Sequence, residues 1–346
     1  MVATLKQIAE EAQISVCVVS KVLNNKHKEM RISEETRQKI LKIAKKKKYR
    51  PNLTARNLRL GKTNVIGVFG YMINDELIYH LLKGISKKAA EHEKTLLYLM
   101  KDTRKDSIEI LKKLVEGNVD GIITFSALSP QEIDYINKLF RRGWNIATTV
   151  RQNDGCECPS IMVDNVKGGF LVTEHLIKLG HVRIGYLGTM TRNSASLRRF
   201  LGYKMALEQY NIALDEELVV ETDYSFERGY EDVKELLLLK DVPTAVFCCS
   251  DMAALGAKKA VIESGKHIPD NIALVGYDDI KACLLSDVPL TTVHQPLYEI
   301  GKKAVEIVAG EKRTKSENIL FEPRLVIRES CGTKLRNIQN VIGNVT

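Results

Sequence analysis

The side chains able to carry chemistry are unevenly spread along these 346 residues. Of 52 Lys and Arg and 43 Asp and Glu, 16 and 5 fall within the first 62 residues, which leaves 36 and 38 for the remainder. The whole basic excess therefore sits in the first sixth of the chain. A solvated basic surface would be more dispersed, so this asymmetry points to a polyanion partner. Charge alone does not choose between DNA, RNA and an anionic membrane.

Other chemistries find little support. Cys156 and Cys158 flank Glu157, and Cys248 adjoins Cys249, yet neither pair has a second pair at zinc-finger spacing. Seven cysteines without a signal peptide read as reduced thiols, and Cys248 and Cys249 continue the apolar run Ala245-Val246-Phe247 as a buried strand would. The seven histidines show no paired metal spacing. Gly61-Lys62-Thr63 echoes the end of a phosphate-binding loop, but that motif needs Gly where Arg56 stands, and no strand precedes it. With no nucleophile–base motif either, the reading is a binding protein without cofactor or metal, not an enzyme.

The elements that would position a basic head are short helices. Thr4 can cap a first one, with Leu5, Ile8, Ala9 and Ala12 on one face. Ser15 can cap a second, running to about residue 24, whose inward positions Val19, Val22 and Leu23 leave Val16, Cys17, Ser20 and Lys21 outward. Ser33 caps a third, with Glu34 and Glu35 complementing its dipole and Ile40, Ile43 and Ala44 on its apolar face. Two helices joined by a tight turn and braced by a third make a helix-turn-helix, although spacing alone also allows a plain three-helix bundle. Pro51 then disfavours helix at Arg50, and Asn52 can cap a further helix of about two turns.

Beyond residue 64, short apolar runs alternate with amphipathic stretches. The runs include Val65 to Phe69, Thr95 to Leu99, Gly121 to Thr124, Ile161 to Val163, Ile184 to Leu187, Ala245 to Phe247 and Ile272 to Val275. Helix-like segments such as Ile78 to His92, Gly168 to Leu179 and Asp251 to Ser264 lie between them. This alternation implies parallel sheets with right-handed crossovers, better housed in two lobes than in one. Ligands of such sheets bind beyond the carboxyl ends of the strands, hence in a cleft between lobes.

The stretch TLKQIAEEAQISVCVVSKVLN, with Ile32 to Arg37 and Tyr49 to Leu58, closely resembles the DNA-binding head of the lactose/galactose repressor family. The resemblance continues through Val163-Asp164-Asn165, His175 to His181, Arg199 to Tyr203, Cys249 to Ala253, Val275 to Asp279 and Thr291 to Pro296, covering about residues 4 to 332. It implies an all-α helix-turn-helix head (1–50), a hinge helix and linker (51–63), and an α/β two-lobed periplasmic-binding-protein-like domain (64–333) with parallel sheets. Lobe 1 would comprise 64–162 and 293–322, lobe 2 163–292 and 323–333, with 334–346 as a tail.

By the same resemblance Val16, Cys17 and Lys21 stand where the recognition helix touches base edges, Lys21 facing either guanine or phosphate. Thr4, Ser15, Ser20, Asn24 and Thr36 become phosphate or capping groups. Asn52, Ala55 and Leu58 fall in the hinge helix, with Leu58 matching a leucine wedged into the minor groove. In the cleft, Arg199 matches an arginine that holds effector oxygens, Asp251 an acid that accepts from sugar hydroxyls, and Tyr224 an aromatic that stacks on the effector. Asn193 and Asp164 are further candidates.

Two departures from the family pattern matter. Gln13 occupies the turn position usually held by Gly. After the first strand, Asp75-Glu76-Leu77-Ile78 replaces Asn-Pro-aromatic-aromatic, so Tyr71 or Tyr79 would have to supply that wall. The implied function is a dimeric transcription repressor at a near-palindromic double-stranded DNA operator, controlled by a small, sugar-like effector. Leu335, Ile338, Ile342 and Val345 have coiled-coil spacing, but two heptads broken by Gly343 are short for tetramerisation. A solute-binding protein of a transport system, the alternative, predicts an export signal and no basic head. The charged amphipathic N-terminus and the lack of any run of about 18 apolar residues lead instead to a cytoplasmic, membrane-free expectation.

Overall fold

The computed structural model describes residues 4–23, 32–49, 63–71, 76–101, 107–151, 153–190, 195–310 and 317–332; for Tyr71, Lys101 and Ser107 only the backbone is described. The chain divides into two compact units, residues 1–63 and 64–346.

Among the described residues of the first unit three helices form, α1 (Leu5–Ala12), α2 (Val16–Leu23) and α3 (Glu34–Lys46). Thr4 starts α1 with a reciprocal capping box: its hydroxyl accepts the Gln7 amide at 3.3 Å, and the Gln7 side chain accepts the Thr4 amide at 2.9 Å. Gln13 ends it in the left-handed region, φ 57°, and Ile14 N–H returns to Ala9 O at 3.0 Å. The conformation expected to favour glycine is thus adopted by a glutamine. Ser33 caps α3 through the Thr36 amide at 3.2 Å. Ile8, Ala9 and Ala12 pack with Val19, Val22, Ile40 and Ala44 into one small core. Glu11 ties α1 to α3 through Lys46 at 3.3 Å and Lys47 at 2.7 Å.

The second unit carries two parallel sheets. Six strands run in the order β11 (Asn318–Phe321), β5 (Ser160–Val163), β4 (Asn145–Thr149), β3 (Gly121–Thr124), β1 (Val65–Tyr71), β2 (Thr95–Lys101). Four more run in the order β7 (Val219–Val220), β6 (Ile184–Leu187), β8 (Ala245–Cys248), β9 (Ala273–Val275). An antiparallel ribbon of β10 (Thr292–His294) and β12 (Arg324–Val326) is an addition to the expected parallel sheets. The expected apolar runs became strands because helices cover both faces, which leaves alternate residues such as Ile122 and Ile123 in separate cores. Cys248 and Cys249 are fully buried at the end of β8, as their apolar neighbours imply.

Helix pairs cross at close range where glycines face them. Helix Asn165–Lys178 and helix Ala195–Gln209 meet through Gly169, where a Cβ would lie 2.0 Å from the Arg199 carbonyl oxygen. Any side chain there would displace the turn that carries Arg199.

Candidate nucleic-acid interface and ligand cleft

In the head, Ser15, Val16 and Cys17 are exposed and Ser20 and Lys21 half-buried, so the outward face expected of α2 is formed. It is held up from beneath by Val19 and Val22, which are wholly within the core. The Ser15 hydroxyl accepts the Val18 amide at 3.4 Å, opening the helix. Thr4 is exposed and Thr36 half-buried, its hydroxyl accepting from the Ser33 hydroxyl at 2.9 Å. Small exposed side chains therefore open α2, and Lys21 lies in its last turn. Asn24, Asn52, Ala55 and Leu58 lie outside the described residues.

In the second unit, parallel pairing puts the carboxyl ends of β6, β7, β8 and β9 on one edge, and the cleft residues follow them. Arg199 is 3% exposed and held from several sides. Its Nε donates to Asn165 Oδ1 at 2.9 Å, Nη1 donates to the Cys249 carbonyl, and Nη2 lies 3.7 Å from Asp278 Oδ1. The guanidinium carbon stacks 3.6 Å from the centroid of the Tyr277 ring. Fully buried, Tyr277 has its hydroxyl pushed up out of the ordinary phenol range by that burial. Asp278 has φ 133° and accepts from Gln295 Nε2 at 2.6 Å. A guanidinium pre-oriented this way can present a planar donor edge to ligand oxygens.

Asp251 is placed differently from its sequence reading. It is fully buried at the start of helix Asp251–Glu263, where Thr292 Oγ1 donates to it at 2.5 Å and the Ile280 amide at 3.0 Å. Burial pushes its carboxyl above the ordinary range. One oxygen thus serves the loop after β9 and the other the first residue of β10. The acid beside Arg199 is therefore Asp278, quoted in the sequence only as part of Val275-Gly276-Tyr277-Asp278-Asp279. Its signal was its place directly after an apolar run, where a parallel strand ends.

Tyr224 is half-buried; its hydroxyl accepts the Ser196 amide at 3.1 Å, which docks it on the helix bearing Arg199. Asp164 caps helix Asn165–Lys178 through the Lys167 amide at 2.9 Å and lines a recess with Arg198, Val150 and Leu320. Asn193 lies outside the described residues, and Tyr71, the last residue of β1, is described in backbone only.

Two contacts not foreseen from the sequence bridge the lobes. Arg151 follows β4 and places its guanidinium carbon 5.8 Å from the Tyr224 ring centroid. Val150 before it has φ 66°, an unfavourable conformation for a β-branched residue. Glu76 accepts the Lys281 amide at 2.9 Å. His175 and His181 are scaffold: His175 Nε2 meets Cys331 Sγ at 3.3 Å and His181 Nδ1 meets Thr244 Oγ1 at 2.9 Å.

Comparison with known proteins agrees with both units. Residues 4–52 match the model of bacterial regulatory proteins of the lacI family, and residues 173–331 match a periplasmic binding protein-like domain. The ribose operon repressor of Haemophilus influenzae is 32% identical over 336 residues, covering 95% of this chain and 98% of that protein. The lac repressor dimer bound to operator and the anti-inducer ONPF superposes with a TM-score of 0.81 at 25% identity, over 96% of this chain and 99% of that one. A lacI-family transcriptional regulator from Enterococcus faecium with bound ribose gives 0.68 at 28% identity, over 77% and 98%. With a helix-turn-helix head, a two-lobed parallel α/β domain and a full-length relative at this identity, the chain belongs to the LacI family of bacterial transcription regulators.

Proposed function

We propose that this regulator is a homodimeric repressor that binds a near-palindromic DNA operator and is controlled by a small polyhydroxy ligand in the inter-lobe cleft. The observation that carries the ligand reading is Arg199, buried yet oriented by Asn165, Asp278 and Tyr277, with the Tyr224 ring docked on the same helix. This combination of fixed donor, acceptor and stacking ring suits a ligand with hydroxyls on one edge and an apolar face. Support for the class comes from the ribose-bound neighbour and the ribose operon repressor relative. Asp164 lines the recess beside Arg198, whereas Asp251 acts on the loop that carries Asp278.

In this reading residues 1–50 form the head, 51–63 the hinge, 64–333 the ligand-binding unit and 334–346 a tail, with the chain crossing between lobes near 162, 292 and 322. Ligand-driven closure changes the relation of the two hinge segments in the dimer, and the ligand acts through its different affinities for the two states. The protein works in the cytoplasm as a binding protein rather than an enzyme. Among the described residues no helix is long and apolar enough to cross a membrane.

The test is selection of bound duplexes from a randomised pool across a salt series, followed by thermal-shift screening of pentoses, hexoses and their phosphates. An enriched inverted repeat whose binding responds to one of these ligands supports the reading. Steep salt dependence with no enriched sequence means phosphate contact alone and overturns it.

A further inference from the structure

Cys156 and Cys158 belong to neither the head nor the cleft contacts described above, yet their sulfur atoms lie 3.1 Å apart. The approach is built by the loop. Gly155 takes φ 82°, and the Cys156 amide closes a turn onto Asn153 O at 3.0 Å. Asn137 then clamps the turn from both sides, donating to Gly155 O at 2.8 Å and accepting the Glu157 amide at 2.8 Å. The two thiols differ in surroundings. Cys156 is half-buried, whereas Cys158 is 2% exposed, within the core formed by Phe140 and Ile146. Of the other five thiols, Cys17 is exposed and Cys248, Cys249, Cys283 and Cys331 are buried.

We propose that Cys156 and Cys158 form an oxidation site at which a hydroperoxide converts the pair into a disulfide within the loop. An outer thiol reachable from solvent beside an inner one in contact with it is the arrangement of an attacking and a resolving cysteine. The Cys158 thiol, hydrogen-bonded to Cys156 Sγ, holds Cys156 below the ordinary thiol range, while that same contact and burial push Cys158 up. The Cys156 thiolate attacks the peroxide oxygen and breaks the O–O bond; sulfur is oxidised to a sulfenic acid and the alcohol, or water from hydrogen peroxide, leaves. Cys158 sulfur then attacks Cys156 sulfur, the S–S bond forms, and the sulfenic hydroxyl departs as water with the Cys158 proton. Two thiols and one hydroperoxide give one disulfide, one alcohol and one water. Only a small displacement is needed, because the sulfurs already touch. The site stands independently of the ligand reading.

The experiment uses the reduced full chain treated with equimolar hydrogen peroxide, quenched with iodoacetamide and mapped by tryptic peptide mass. Residues 152–167 form one tryptic peptide containing these two cysteines and no other, and Cys17 falls in a different one. The expected result is loss of two hydrogens from peptide 152–167, reversed by dithiothreitol, at a rate about tenfold or more above oxidation of Cys17. In Cys158→Ser the expected product is a dimedone-trappable sulfenic acid on Cys156 with no disulfide. The proposal is overturned if peptide 152–167 remains doubly alkylated while Cys17 is oxidised, or if wild-type Cys156 ends as a sulfinic acid. A disulfide between two chains in place of the internal one overturns it equally.

Discussion

The Glu76 carboxylate accepts the backbone amide of Lys281 at 2.9 Å, and this single hydrogen bond joins a helix on the six-stranded sheet to the loop after the last strand of the four-stranded one. In the family pattern proline stands where Glu76 does and aromatic residues where Leu77 and Ile78 do, so a polar contact is made here at a mouth without that aromatic wall. The Glu76 side chain is 27% exposed, and the Lys281 ammonium, 3.8 Å away, is largely in solvent. Water competes at such a contact, and its net worth is on the order of 1 kcal/mol. Glu76→Ala is expected to speed hydrogen exchange at the Lys281 amide about two- to fivefold while leaving the thermal midpoint nearly unchanged. Unchanged exchange would show that the lobes stay closed without it.

Arg199→Lys tests the cleft. Lysine keeps the charge but loses the planar fork that meets Asn165 and Cys249 together. Affinity for a ligand found by thermal-shift screening should fall by about 30-fold or more, roughly 2 kcal/mol. The measurement is isothermal titration on variant and wild type after matching folded fractions. Equal affinities would remove Arg199 from the ligand site.

The acid limb of stability should be steep. Burial alone would raise the Asp279 carboxyl, but hydrogen bonds from His294 at 3.0 Å and from Arg328 outweigh it and hold it below the ordinary range. A carboxyl with a depressed folded pKa contributes stability that is present above its unfolded pKa and is lost as pH falls through the folded one. Asp251 has the opposite sign: raised by burial, it destabilises the fold as pH rises through the unfolded pKa. Asp279→Asn should therefore flatten the acid limb of a urea-midpoint profile below about pH 5, and Asp251→Asn should not.

At the turn of the head, Gln13 holds φ 57° with its side chain exposed. Gln13→Gly relieves that conformation and should stabilise the head by about 0.5–1 kcal/mol, after the greater chain entropy of glycine is included. Circular dichroism at helix wavelengths, monitored through thermal unfolding, reads the change. A lowered midpoint would mean that the glutamine makes a compensating contact.

Lys21→Ala distinguishes phosphate contact from base reading. A phosphate contact predicts a loss common to all sequences and a salt slope reduced by about 1. A guanine contact predicts about 1–3 kcal/mol of lost discrimination at one operator position. Fluorescence anisotropy with operator variants over a salt series separates the two.

Much of this protein is settled by local chemistry. Thr4, Ser33 and the spacing of Ile8, Ala12, Val19 and Ile40 suffice to place the three helices, because caps and apolar periodicity act within a few residues. The runs from Val65 to Val275 became parallel strands because chains so apolar must be covered on both faces. The cleft was legible only in part. Arg199 is a candidate from sequence alone, but which carboxylate faces it depends on long-range packing: Asp251 turns inward to Thr292, separated by 41 residues, and leaves Asp278 beside the guanidinium. Arg151 over Tyr224 and Glu76 on Lys281 were likewise invisible in sequence, since each joins segments far apart along the chain. Periodicity and caps report a residue's own element; which polar groups meet between elements is decided by how the packed sheets and helices come together.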